Sequence, residues 1–283
     1  MVDDDQFYPL DEKNINSISD EELIAAFDNG SAIWELGDNK IVRVARNFVI
    51  KGGLSVLPSE AKNMEFASKV LDINVPKVHR IFNIKEKNGI WGTTCYILMD
   101  CISGTCLTDS WPKLSKASQT SILTEVAKAI NQMQSVVLRK PGPIGGTTNR
   151  WMGTWFSDYG AGPFESTDEL ENWLNHALQI SKQWKRVIPG TPDFKIKKLV
   201  FSHLDIAPRN LMIDDTGKLW LIDWAFAGAF PVGFEQAVVH CQMQFPEFKA
   251  GLLSKVSEST SEKNQLKSIL CSLPTAATPY FLN

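Results

Sequence analysis

Apolar positions recur along this chain in two different periods, and the change from one to the other divides it. Ser19-Asp20-Glu21-Glu22 reads as a capping box ahead of Leu23-Ile24-Ala25-Ala26-Phe27, which predicts a helix ending at Gly30. Three short apolar runs follow: Ile33 to Leu36, Lys40 to Ala45 and Phe48 to Lys51. Turn residues separate them (Gly37-Asp38-Asn39, then Arg46-Asn47), so an antiparallel meander is expected. From Ser59 to Val70 the spacing becomes helical, with Ala61, Met64, Phe66, Ala67 and Val70 as an apolar stripe. Val75-Pro76-Lys77-Val78 and Arg80 to Ile84 read as strand starts, and Thr94 to Met99 as a further strand.

The pattern changes at Asp100. Asp100 to Gly104 is a short connector, and from Ser115 onward the chain turns helical, with Ile122, Val126, Ala129, Ile130 and Met133 on one face. A loop rich in Gly and Pro (Pro141 to Thr148) leads into an aromatic stretch from Trp151 to Tyr159, then a helix near Thr167 to Gln183. The expected architecture is α+β in two lobes, with a cleft where they join. The division falls at 1–99, an antiparallel-sheet lobe, 100–104, a hinge, and 105–283, a mainly helical lobe.

The densest chemistry lies between Leu199 and Trp224, read as LVFSHLDIAPRNLMIDDTGKLWLIDW. Leu211-Met212-Ile213 and Leu219-Trp220-Leu221-Ile222 are apolar runs joined by Asp214-Asp215-Thr216-Gly217-Lys218, which predicts a β-hairpin with Gly217 at positive φ. A two-residue Thr216-Gly217 loop places Asn210 opposite Asp223. A three-residue loop with a bulge slips the register by one and keeps them close. Opposed side chains lie about 5 Å apart at Cβ, within joint reach of one cation. An Asn carbonyl with an Asp carboxylate is hard oxygen ligation suited to Mg²⁺. Asp205 lies on the loop feeding the hairpin, stiffened by Pro208 and Arg209, and can point into the same pocket.

His203-x-Asp205-x-x-x-x-Asn210, followed by the apolar hairpin and Ile222-Asp223-Trp224, resembles the catalytic and metal loops of the kinase-like superfamily. It is more similar to the aminoglycoside phosphotransferase family, and within it to a fungal phosphotransferase-like branch, than to protein kinases. Leu204 stands where protein kinases carry Arg and the phosphotransferases typically Gly. Asp223-Trp224 replaces Asp-Phe-Gly, and Ala227-Gly228, Pro231 and Phe234-Glu235 also fit the phosphotransferases. The resemblance implies a protein-kinase-like fold and an Mg·ATP-dependent phosphotransferase acting on a small-molecule hydroxyl. Asp205 would then be the base, and Asn210 and Asp223 the metal ligands.

The same resemblance assigns the ATP side. Phe48-Val49-Ile50-Lys51 looks like the strand ending in the phosphate-binding Lys, with Glu60 as its helix partner and Glu65 as the fallback. Tyr96 to Gly104 is similar to the strand-to-linker hinge, with Met99 before the linker and the backbone of Asp100 and Cys101 facing adenine. No G-x-G-x-x-G precedes Lys51, so the phosphate loop departs from the kinase pattern. That departure keeps two alternatives open: a nucleotide-binding protein without turnover, or an enzyme that reuses the cleft for other chemistry.

Bulk composition narrows the partners. The net charge of −3 carries no basic surplus for nucleic acid or an anionic membrane. The acidic N-terminus lacks the features of a secretion signal, and no apolar run reaches the length of a membrane span. Five scattered cysteines and four dispersed histidines suggest reduced thiols in a cytoplasmic protein, without a zinc site. Trp151 to Tyr159 is unusually aromatic for a connector and, by the resemblance, lies on the acceptor side. It suits a flat or apolar hydroxylated metabolite, or a cation. The acids available for a cationic acceptor (Asp158, Glu165, Asp168, Glu169 and Glu235) are not evidently clustered.

Overall fold

The computed structural model describes residues 7–85, 93–145, 151–153 and 155–277. Helix α1 (Asp20–Asn29) starts as its sequence predicts. Ser19 Oγ accepts from the Glu22 amide at 3.2 Å, and Glu22 Oε2 accepts from the Ser19 amide at 3.2 Å. Strands β1 (Ala32–Leu36), β2 (Asn39–Ala45) and β3 (Phe48–Gly53) form the expected meander, followed by α2 (Pro58–Val70), β4 (Val78–Lys85) and β5 (Thr93–Asp100). The five strands make one antiparallel sheet in the order β1-β2-β3-β5-β4.

Two-residue periodicity decides what each face of this sheet packs against. Ile50, Tyr96 and Leu98 join Leu23, Ala26 and Phe27 of α1 in one core. Val49, Ile97 and Met99 point the other way, into a core shared with Met64 and Ala67 of α2 and with Phe201, Leu211 and Trp224 of the second half. Lys51, two residues after Val49, therefore shares the face turned toward α2 and the hairpin.

The expected strand start at Val75 is not formed. Pro76 has no N–H for a ladder, and the Lys77 amide donates to Asp100 Oδ2 at 3.0 Å. Strand β5 runs one residue past the expected connector start, through Asp100, and Cys101 to Ser103 leads to β6 (Gly104–Cys106).

The second half is mainly helical. After α3 (Leu107–Ser110) comes α4 (Lys116–Ser135), whose Ile122, Val126, Ala129, Ile130 and Met133 are all buried. Short strands β7 (Val137–Leu138), β8 (Trp151–Gly153) and β9 (Ser157–Ala161) precede α5 (Thr167–Gln183). Then follow β10 (Leu199–Ser202), β11 (Leu211–Asp214), β12 (Leu219–Leu221) and β13 (Gly228–Pro231). Helices α6 (Phe234–Cys241), α7 (Pro246–Leu253), α8 (Thr260–Ile269) and α9 (Leu273–Ala277) complete the described chain. Three-stranded sheets β13-β10-β7 and β12-β11-β6 frame the segment from His203 to Asp223. Trp173, Leu174, Phe230, Phe234, Leu266 and Leu273 centre a third core. Among the described residues no helix is long and apolar enough to cross a membrane.

Candidate active site

The hairpin adopts the slipped register. Leu211 pairs with Leu221, Met212 with Trp220 and Ile213 with Leu219. The amide of Ile222 donates to Asn210 O at 2.9 Å, so Ile222, not Asp223, opposes Asn210. The cause is the loop. Asp214 accepts from the amides of Thr216 and Lys218, both at 2.9 Å, and from Thr216 Oγ1 at 2.7 Å, so three residues close the turn. Gly217 sits at φ 85°, the left-handed position such a bulged loop requires. Asp223 is thus one residue beyond Asn210's partner, at φ 61°, a conformation Asp tolerates better than most residues.

The loop upstream is held in a strained shape from below. Leu204 also has φ 61°, which glycine adopts freely and leucine does not. Glu235, fully buried at the start of α6, accepts the amides of His203 at 2.5 Å and Leu204 at 3.0 Å on one oxygen, Oε2. Its Oε1 has no hydrogen-bond partner among the described residues. Burial pushes this carboxyl up to about 7, against the pull of the two amides.

His203 is fixed in one tautomer by its two contacts. Nδ1 lies 3.2 Å from the Asp205 amide, which can only donate, so Nδ1 accepts. Nε2 lies 3.1 Å from Ile222 O, which can only accept, so Nε2 carries the proton. A second ring proton would face the Asp205 N–H, and burial holds the pKa down to about 4. His203 is accordingly a neutral strut between the Asp205 loop and the hairpin, edge-on against Trp224 at 4.6 Å.

Asp205 occupies the loop's crest. Arg209, one turn on, pairs with its Oδ1, and the Asn210 side-chain amide donates to Asp205 Oδ2 at 2.7 Å and to Asp205 O at 2.8 Å. Two acceptors on that side orient the Asn210 NH₂ toward Asp205 and turn its carbonyl oxygen away. Burial raises the Asp205 carboxyl to about 6, with Arg209 opposing the rise.

Across from this loop, Lys51 Nζ bridges Glu60 Oε1 at 2.7 Å and Asp223 Oδ1 at 2.9 Å. Glu60, not the exposed Glu65, is therefore the helix partner. Burial lowers the lysine's proton affinity, but the two carboxylates outweigh it and raise the pKa. Burial also raises Glu60, with Lys51 opposing. Burial likewise acts to raise Asp223, but Lys51 prevails and lowers it. Lys51 and Glu60 are buried, whereas the Asp223 side chain is 41% exposed and open to a ligand.

Asn63, fully buried on α2, ties these parts together. Its amide donates to Trp224 O at 3.0 Å and Ala227 O at 2.8 Å, and its Oδ1 accepts from the Ile144 amide at 3.0 Å. The sequence analysis missed Asn63 as a functional residue, and treated Glu235 as an available acid rather than the loop's anchor. A signal for Asn63 existed: it lies three residues after Glu60, so both share the helix face that also buries Ala61, Met64 and Ala67.

At the hinge the backbone amides are already partnered. The Asp100 amide donates to Lys77 O at 3.0 Å and the Cys101 amide to Asn47 O at 2.8 Å. Both N–H groups are thus used within the fold. The Asp100 carboxylate is turned to His79 Nε2 at 2.7 Å, and Met99 is buried in the core.

Beside Asp205 opens a cavity of about 330 Å³, whose wall includes Trp155, Phe156, Phe226, Phe230 and Met243. The side chains of Trp151 and Tyr159, expected on this side, lie outside the described residues. Among the described residues no group of three or more His, Cys, Asp or Glu side chains is arranged to hold a metal ion. All five cysteines are free thiols.

Residues 34–254 match the sequence model of the phosphotransferase enzyme family, APH. No curated protein matches the chain. Among solved structures, the chain is similar to ADP-bound aminoglycoside phosphotransferase APH(2'')-Ib, with a TM-score of 0.56 and 12% identity over 93% of this chain and 91% of that one. It is also similar to the gentamicin complex of APH(2")-IIa, at TM-score 0.55 and 12% identity over 94% and 97% of the two chains. The GDP and kanamycin complex of APH(2")-IIIa gives 0.54 and 10% over 91% and 85%. At these identities the likeness establishes a shared kinase-like fold of two lobes.

Proposed function

The chain belongs to the phosphotransferase enzyme family, and from that premise we propose that it transfers the γ-phosphoryl group of Mg·ATP to a hydroxyl of a small-molecule metabolite in the cytoplasm. The observation that carries this reading is the convergence on one cleft of Lys51, paired with both Glu60 and Asp223, and Asp205, bonded to Asn210. In this reading ATP lies on the side of residues 1–99, with adenine at 100–104 and the acceptor against 105–283.

The donor set fits Mg²⁺. The Asn210 carbonyl oxygen is turned away from Asp205, the Asp223 carboxylate is partly exposed, and both are hard oxygens. Asn210 and Asp223 would be its two protein ligands. When bound it supplies charge neutralisation along the triphosphate.

The chain's own residues do the rest. Lys51, kept cationic by two carboxylates, binds phosphate oxygens, and Glu60 fixes where it points. Asp205 orients the acceptor hydroxyl and takes its proton. The acceptor oxygen forms a bond to the γ-phosphorus, the bond from that phosphorus to the β,γ-bridging oxygen breaks, and ADP leaves. Asp205 then returns the proton to solvent. A carboxylate with a pKa near 6 is a better base at neutral pH than an unperturbed Asp, while still mostly ionised there.

Thermal-shift titration with Mg·ATP tests the nucleotide half. Wild type is expected to gain stability with ligand and Asp223→Ala to lose most of that gain. No Mg-dependent gain in wild type would reject the reading in favour of other chemistry in the cleft.

A further inference from the structure

The cavity next to Asp205 has the wrong chemistry for a polycation. Among its described lining residues Asp205 is the sole acid and Arg209 the sole base, and the two are paired with each other. The rest of the wall is dominated by Trp155, Phe156, Phe226, Phe230 and Met243. Phe226 follows Asp223 by three residues and is 38% exposed, so an aromatic face stands open beside the metal loop. Met243, just past the end of α6, also lines the cavity and is 93% exposed.

Three of the acids a cationic acceptor could use are engaged elsewhere, and the Asp158 side chain lies outside the described residues. Glu165 pairs with Lys140 at 2.7 Å, Glu169 accepts the Glu165 amide at 2.7 Å, and Glu235 is buried beneath the catalytic loop. Aromatic faces can receive one cation. Several ammonium groups in this cavity would lose their hydration without partners, beside a guanidinium that repels them.

We infer that the acceptor is an uncharged, largely apolar hydroxyl compound whose ring system lies against the Phe226 and Trp155 wall, with its hydroxyl as the polar end meeting Asp205. This rests on the phosphotransferase reading and names its acceptor class. Stacking on the aromatic wall holds the body of the molecule. Among the described lining residues, the paired Asp205 and Arg209 supply the only charged groups at its polar end. The volume lies near the lower end of the range for small-molecule sites, roughly 300–1,000 Å³, which suits a compact ring system.

The test is a fluorescence titration of the full chain, saturated with Mg·ADP, using 2-naphthaleneethanol and kanamycin as probes. Mg·ADP binding is first measured alone. The naphthyl alcohol is expected to bind at least ten-fold more tightly than kanamycin. Phe226→Asp and Met243→Asp, each checked for unchanged circular dichroism, are expected to weaken it at least ten-fold and three-fold. Tighter binding of kanamycin, or naphthyl affinity indifferent to both substitutions, would overturn the apolar acceptor while leaving the nucleotide site intact. Failure of Mg·ADP to bind would instead reject the phosphotransferase reading on which the acceptor assignment depends.

Discussion

The side-chain amide of Asn63 donates to the carbonyl of Trp224 at 3.0 Å, which locks the helix carrying Glu60 to the loop carrying Asp223. Lys51 is held between those same two carboxylates, so the tether sets the distance the lysine must span. Asn63→Leu keeps the volume but strips partners from Trp224 O, Ala227 O and the Ile144 amide. Each such group that stays buried costs roughly 1–3 kcal/mol. Chemical denaturation is expected to show that loss, with weaker Mg·ATP binding alongside it. Lys62→Ala, one position away and exposed, is the control and should stay within about 0.5 kcal/mol of wild type.

The Lys51–Glu60 pair makes a different prediction. Removing one partner of a buried ion pair leaves an uncompensated charge, at roughly 3–5 kcal/mol. Lys51→Met should therefore destabilise strongly, although Glu60 can relieve part of the cost by taking a proton. Lys51→Met with Glu60→Gln is expected to be more stable than Lys51→Met alone, and still unable to bind Mg·ATP. A double variant no more stable than the single would show that Glu60 leaves no uncompensated charge behind once Lys51 is gone.

Much of this was legible in the sequence because local rules and tertiary packing agreed. Ser19 and Glu22 announce α1, the helical spacing of Ile122 to Met133 announces α4, and the apolar runs on either side of Gly217 announce the hairpin that brings Asn210 and Asp223 near each other. The register was not, because it turns on side-chain bonds inside the loop. Whether Asp214 caps a two-residue or a three-residue turn depends on its contacts to Thr216 and Lys218. The partners of the Asp100 and Cys101 amides were hidden for a related reason: Lys77 O and Asn47 O come from segments distant in sequence. The role of Glu235 was concealed by a positive φ at Leu204, since glycine is the residue that signals such a bend.

Glu235 gives the fold a pH signature. Its carboxyl is raised from 4.5 to about 7 in the folded chain, so the unfolded chain ionises first as pH rises. Its contribution therefore favours folding below about pH 4.5 and is lost between there and pH 7, on the order of 3 kcal/mol at most. Asp205 acts in the same direction. His203, lowered from 6.5 to about 4, acts oppositely, because its unfolded form binds the proton. Comparison with Glu235→Gln isolates the first effect, since Gln keeps an acceptor for both amides. The stability of the variant relative to wild type should rise from pH 4.5 to 7. A difference independent of pH would show that Glu235 is ionised throughout.

The base assignment predicts a pH profile for transfer. The kcat/KM for a phosphorylated acceptor should climb through an apparent pKa near 6, set by burial of Asp205 and moderated by Arg209. Arg209→Gln removes the moderating charge, so the rising limb should move to higher pH. A limb that stays put or moves lower would separate Asp205 from the titrating group.

Transfer itself is the most direct test of the central claim. The full chain is incubated with Mg²⁺ and γ-labelled ATP, with and without 2-naphthaleneethanol, and labelled product is separated from ATP for wild type and Asp205→Asn. The account predicts Mg-dependent label on the alcohol in wild type and a loss of at least 10²-fold in Asp205→Asn, the scale of a missing general base. Label transfer at equal rates in both proteins, or transfer that proceeds without Mg²⁺, would contradict it.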